Sequence, residues 1–288
     1  MAVITPQVSR AMIDGAKLPK IARRTRGPLD DRPPVELRDT DPQTLVAGSG
    51  LIVAAENVPA QTREDIVNCT LFAQLAASGA VPDAKKVVEW YEHYFHWLKT
   101  LGWVQSEQEF QDYRFSGQHA EAHKAVEKVL VALLGPQAAA LVVVQAALAG
   151  LQEMAENSPW LTVFERQSRV EKSARFQLAT AQVGGGGLLE TALAAFDLRA
   201  KSTFTQVLFF KFSSSSTKLK YAAGRATIYE AALASERTRI AERLAEYRRQ
   251  MVGEVTLAPL PGPATRGLRR KAPAAPRKFK PGDVLLEL

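Results

Sequence analysis

Cysteine, histidine and long charged runs are scarce in this chain, and each scarcity removes a class of protein. The 288 residues contain one cysteine, Cys69, so no internal disulfide can form. That suits a reducing compartment, or a chain large enough to fold without covalent staples. The start, MAVITPQVSRAMIDGAKLPKIARR, has no charged n-region followed by an apolar h-region, so no Sec-type leader is expected. A cytoplasmic location, or export by another route, follows. No glycine-rich loop ends in Lys-Ser/Thr, and no Gly-x-Ser-x-Gly elbow occurs. Nucleotide cradles and Ser-His-Asp chemistry therefore have no signature, and no cofactor is expected.

The charge is +7, which invites nucleic acid or anionic membrane as a partner. Its distribution qualifies that. Residues 1–46 carry 8 Lys/Arg against 6 Asp/Glu, and residues 259–288 carry 7 against 2. Between them, 47–258 holds 22 against 22, so the body is electrically neutral. The tail TRGLRRKAPAAPRKFK supplies Arg266, Arg269, Arg270, Lys271, Arg277, Lys278 and Lys280, a set that would bind phosphates or anionic lipid, or else act as a solubilising tail. It has one Phe and no helix able to read a groove, so specific nucleic-acid binding is not expected.

Hydrophobic patterning divides the chain. Residues 1–46, rich in Arg, Pro and Asp, are expected to form a disordered arm. A short amphipathic piece at 7–24 (Val8, Met12, Ile13, Leu18, Ile21) is crossed by Gly15 and Pro19. Residues 47–258 read as one α+β domain, with helices over 60–158 and a β-meander with a closing helix over 174–252. The tail 259–288 is expected to be disordered, apart from a short VLLEL end that could add a strand.

Within the helical half, Thr62 is placed to cap a helix running to about Ala77, and Asp83 to open another. In that second helix Val87, Trp90, Tyr91, Tyr94, Leu98 and Leu101 share a sector of about 100°, and Gly102 is placed to end it. From His119 to Met154 the chain is helical and apolar, and Val129–Gly150 is 22 residues without a charge. That equals a membrane span in length. The break at Gly135-Pro136 instead favours two buried helices, with a membrane-inserting hairpin as the alternative. Thereafter ARFQLATAQV, LLETALAAFDLRA, TQVLFFKF and KLKYAAG read as strands joined by the turns Gly184–Gly187 and Ser213–Ser216, and a helix follows from about Ala226. The expected fold is a helical layer packed on an antiparallel meander, with the last helix laying Tyr229, Leu233, Ile240, Leu244, Tyr247 and Met251 on the sheet.

Four histidines are the available metal or acid–base groups. His93 and His96 fall on the charged face of their helix and are expected in solvent. His119 and His123 are spaced i,i+4, which on a helix presents both rings to one zinc ion. Glu121 does not complete an HExxH motif, and no third ligand stands out. The pair is the one candidate for an unrecognised enzyme; hydrogen-bonded core histidines are the structural alternative. Cys69, between Val67 and Leu71, reads as a small core hydrophobe.

Three stretches, IVNCTLFAQLAA, VVEWYEHYFHWLKTLGWV and QVLFFKFSSSSTKLKYAAGRATIYEAALASERTRIAERL, resemble in their order the Evf-type bacterial virulence-factor family, over about residues 60–250. Trp90-Tyr91, Gly102-Trp103 and Phe209–Phe212 anchor the likeness. The resemblance implies a protein that promotes infection of a host without enzymatic activity, with a protein partner or a membrane surface as its target. Members carry a fatty acid on a central cysteine; this chain has no cysteine among its strands, so lipidation is not carried over. A self-assembling structural protein, joined through the aromatic 83–103 helix and the meander edges into a homo-oligomer, is the alternative.

Overall fold

A computed structural model describes residues 6–21, 34–106, 109–115, 119–153, 158–201, 206–209, 211–213 and 216–260. The elements run α1 (Pro6–Gly15), β1 (Gln43–Ala47), β2 (Gly50–Ala54), α2 (Ala60–Ala80), α3 (Val87–Thr100), β3 (Trp103–Gln105), β4 (Gln111–Asp112) and β5 (His119–Glu121). There follow α4 (Ala122–Leu134), α5 (Ala139–Glu153), α6 (Pro159–Ser168), β6 (Arg169–Val170), β7 (Ser173–Val183) and β8 (Leu189–Ala200). The chain continues with β9 (Lys211–Ser213), β10 (Thr217–Ile228), α7 (Glu230–Ala234), α8 (Arg237–Met251) and β11 (Val252–Val255).

Nine strands form one sheet in the order β11-β1-β2-β7-β8-β10-β3, with β4 also on β10 and β6 on β7. The meander β7-β8-β10 is antiparallel and in unbroken register, as its alternating pattern predicts. The β2–β7 pairing is parallel, because α2 to α6 intervene between the two strands.

Side-chain alternation then decides where the helices go. On β7, Ala174, Phe176 and Leu178 point to one core, Ala179 and Ala181 to the other. On β8 the split is Ala194, Phe196 and Leu198 against Leu193 and Ala195. A sheet apolar on both faces needs a cover on each. The α+β class stands, and its helices occupy two layers: α1, α2, α3 and α8 on one face, α4, α5 and α6 on the other.

Several local expectations change. The expected disordered arm over 1–46 contains α1, whose Ile13 is fully buried, and most of β1, every residue of which is buried. Both owe their order to distant partners, which local composition does not register. Gly48, at φ +59°, turns β1 into β2. Thr62 does not cap α2; its helix starts at Ala60, whose N–H donates to Asp39 Oδ1 at 2.6 Å from the supposed arm. Asp83 accepts from the Lys85 N–H instead, one turn before α3.

Gly135-Pro136 does separate two helices, of 13 and 15 residues, and no helix among the described residues is long and apolar enough to cross a membrane. Strand β10 runs two residues past the expected helix start, leaving Tyr229 exposed, while Leu233, Ile240 and Leu244 are buried as anticipated. Among the described residues of TQVLFFKF, the last two begin a strand, β9, paired with β5 outside the main sheet.

Candidate functional site

The backbone between the two histidines is not helical. His119 lies in β5 opposite Ser213, Glu121 is extended (φ −122°, ψ 135°), and α4 begins at Ala122. The single helical turn that the i,i+4 spacing assumed is therefore replaced by a strand-to-helix junction. His123 is three-quarters or more buried: its Nε2 is 3.6 Å from Glu121 Oε2, its ring lies 5.3 Å from that of Phe209, and its Nδ1 has no hydrogen-bond partner. Among the described residues no cluster of three His, Cys, Asp or Glu side chains could hold a metal ion. His96 is exposed and His93 half-buried; both line a surface groove of about 450 Å³ with Lys17, Trp97 and the end of α1.

The other polar groups of the core are engaged with backbone. Arg63, wholly buried, donates to the carbonyls of Val58 (2.8 Å), Asp41 (2.7 Å) and Ala55 (3.2 Å), tying α2 to the segment before β1. The Tyr91 hydroxyl lies 2.8 Å from Phe196 O and 3.1 Å from Phe176 O, and accepts from Gln177 Nε2. Burial pushes that phenol well above its ordinary value. Ser49, Gln74 and Gln177 extend the same network along the β1–β2 turn. Arg175 stacks 4.2 Å over the Trp90 ring. The Glu165 carboxylate accepts the Val207 N–H at 2.7 and 3.0 Å and faces Arg169 at 3.0 Å, while burial raises its pKa. Cys69 is fully buried and its thiol is pushed up to about 12 by desolvation, so it carries no thiolate at neutral pH. These groups hold strands and loops together.

A different feature stands out at one end of the sheet. The β7–β8 hairpin turns through Gly184–Gly187, with Gly186 and Gly187 at positive φ, and presents Val183, Leu188 and Leu189 to solvent. Leu188 is 72% exposed. The start of α5 reaches the same end, because the Ala140 N–H donates to Gln182 Oε1 at 3.0 Å; the last turn of α4, just before it, carries the exposed Val131. On the neighbouring strands Ala226 pairs with Thr191, and Thr227 with Val104. That register carries Val104 (66% exposed) and Tyr229 (63% exposed) to this end too. Six exposed large apolar residues from four separate segments thus lie toward that end.

The comparisons can be set beside this geometry. No family model matches the chain, and no curated protein does. Among solved structures, a delta-endotoxin is similar at 12% identity over 85% of this chain and 94% of its own, with a TM-score of 0.39. The Evf virulence factor is similar at 10% identity over 77% and 87%, TM-score 0.32. The activated Cyt2Ba monomer from Bacillus thuringiensis subsp. israelensis is similar at 10% identity over 48% and 79%, TM-score 0.29. The chain resembles the Evf virulence factor.

The expected anion-binding residues Arg266, Arg269, Arg270, Lys271, Arg277, Lys278 and Lys280, and the VLLEL end, lie outside the described residues. The contacts expected for self-assembly are largely occupied within the chain. The outer edge of β10 is paired by β3 and β4, that of β7 by β2, and Trp90, Tyr91 and Tyr94 are buried. The apolar end was not anticipated, although a trace of it is present in the residues. Leu188-Leu189 directly follows four glycines, and an apolar pair at a hairpin turn has no core to enter.

Proposed function

We propose that this is a non-enzymatic bacterial protein of the virulence type, and that it acts by associating with a membrane surface. One observation carries the reading: the charge-free residues 129–150 fold as the α4–α5 hairpin, and the end of the sheet that this hairpin reaches exposes Val104, Val131, Val183, Leu188, Leu189 and Tyr229. Exposed apolar residues gathered at one end of a body mark a surface for a membrane or a partner. Neither α4 nor α5 is long enough to span a bilayer, so the association is with the surface and does not require insertion of either helix across it. The engagement of Arg63, Tyr91 and Glu165 with backbone supports the non-enzymatic part of the reading.

Flotation of the full-length protein with vesicles of mixed phosphatidylcholine and phosphatidylglycerol tests it. Co-migration with the lipid is the expected outcome. A protein that stays at the bottom of the gradient with every composition would end the reading.

A further inference from the structure

We infer that the end of the sheet formed by Val104, Val131, Val183, Leu188, Leu189 and Tyr229 is the face that enters a lipid surface, and that zwitterionic lipid suffices for it. The inference rests on the membrane reading above and adds which residues make contact and which lipid chemistry they need. The six residues come from the β7–β8 hairpin, the last turn of α4, β3 and the β10–α7 joint, so their arrival at one end is a product of the fold. Of the nine large apolar residues exposed among the described ones, these six share one end. Val88, by contrast, starts α3 at the opposite end, where Lys85 meets Glu171 of the β6–β7 turn.

Two observations select lipid over a second protein. The residues lie on four separate segments: the β7–β8 hairpin, the last turn of α4, β3 and the β10–α7 joint. Six side chains, between 36% and 72% exposed, also fall well short of the roughly 20–30 residues a side of a stable protein interface. Apolar side chains on separate segments can each enter an interfacial layer independently. Charge points the same way. Residues 47–258 are neutral overall, and Arg225 at this end is 3.6 Å from Glu190. This face therefore gains little from anionic headgroups, unlike the basic tail, whose binding would need them and would weaken with salt.

The experiment uses full-length protein with vesicles of phosphatidylcholine alone, at physiological and high salt. Wild type is expected to float at both. L188E/L189E is expected to lose tenfold or more of its lipid partitioning, with an unchanged melting midpoint because both side chains are exposed. In brominated phosphatidylcholine, Leu188→Trp should be quenched beyond wild type, and Val88→Trp should not. Wild type that fails to float with any lipid would overturn the membrane reading itself. Wild type that floats with phosphatidylcholine while L188E/L189E floats equally well would overturn this inference and leave that reading standing. So would binding that requires phosphatidylglycerol, or equal quenching at positions 188 and 88.

Discussion

The two faces of the sheet are covered by helices of different chemistry. On one face α1, α2, α3 and α8 pack aromatics, with Trp90 and Tyr94 stacked at 5.4 Å, and fasten their outer surfaces with ion pairs. Arg237 bridges Asp65 at 2.7 Å, Arg248 bridges Glu64 at 2.6 Å, and Arg10 bridges the buried Glu236 at 3.0 Å. On the other face α4, α5 and α6 bury mainly Val, Leu and Ala, together with Phe164 against the Phe176–Phe196 stack, and have few polar anchors: Gln182 to Ala140, and Glu165 to Val207. The first face is positioned by directional contacts and the second mainly by apolar burial. Directional contacts let a helix be placed by residues far along the chain, as α1 is. Burial alone leaves the end of a helix free to present an apolar side chain outward, as α4 does at Val131.

The largest test of this contrast removes one buried ring from each face. Trp90→Ala should destabilise by about 3–5 kcal/mol, since the cavity is accompanied by a lost indole bond to Ser78 and a lost Arg175 stack. Phe196→Ala, which breaks the 4.9 Å stack with Phe176, falls in the same range of about 3–5 kcal/mol by cavity formation alone. Urea unfolding measures both. A much smaller loss for Phe196 would mean that the aliphatic face collapses around the void.

Glycines at close approaches come next. A Cβ at Gly150 on α5 would strike the backbone of Thr256 and Ala258, so Gly150→Ala should lower global stability by about 1–3 kcal/mol. At Gly79 on α2 the added carbon would strike the Lys17 backbone. Gly79→Ala is therefore expected to undock α1 locally, visible as faster amide exchange over 6–16, with less change in global unfolding. If both variants lost stability globally, α1 would be part of the core and not an attachment to it.

Smaller still is Tyr91→Phe, which removes the hydroxyl reaching the Phe176 and Phe196 carbonyls and leaves them with fewer partners. A loss of about 1 kcal/mol is expected from chemical denaturation. An unchanged stability would assign the tyrosine's role to ring packing alone.

The subtlest test is one of pH on the aliphatic face. Burial raises the folded-state pKa of Glu165 above its unfolded value. Its contribution to stability is therefore fully present below the unfolded pKa and is lost as pH rises through the folded one. Glu165→Gln should accordingly gain on wild type as pH is raised from about 4 to 7. A wild type-to-variant difference that does not move with pH would show that the Val207 and Arg169 contacts cancel desolvation.

Much of this architecture was legible in the chain because it depends on local periodicity. The meander, the aromatic face of α3 and the Gly-Pro break between α4 and α5 follow from spacings of 2 and 3.6 residues and from backbone chemistry at Gly and Pro. Where a partner lies far along the chain, local reading misleads. The cap of α2 is Asp39, and α1 is held by Arg243 through the carbonyls of Ile13, Asp14 (2.8 Å) and Ala16 (2.6 Å), 227 or more residues away. His119 and His123 look like a helical pair only if the residues between them are helical, and the pairing of β5 with β9 keeps the first in a strand.

From the residues alone come the neutral body, the α+β class, the charge-free stretch and the single cysteine. These are properties of composition and of spacing along one segment. The two-layer arrangement of helices, the order within the supposed arm and the apolar end were decided by the tertiary structure. Each is a relation between segments set by strand register, and Leu188 and Val104 reach the same end of the sheet only when β7, β8, β10 and β3 are aligned.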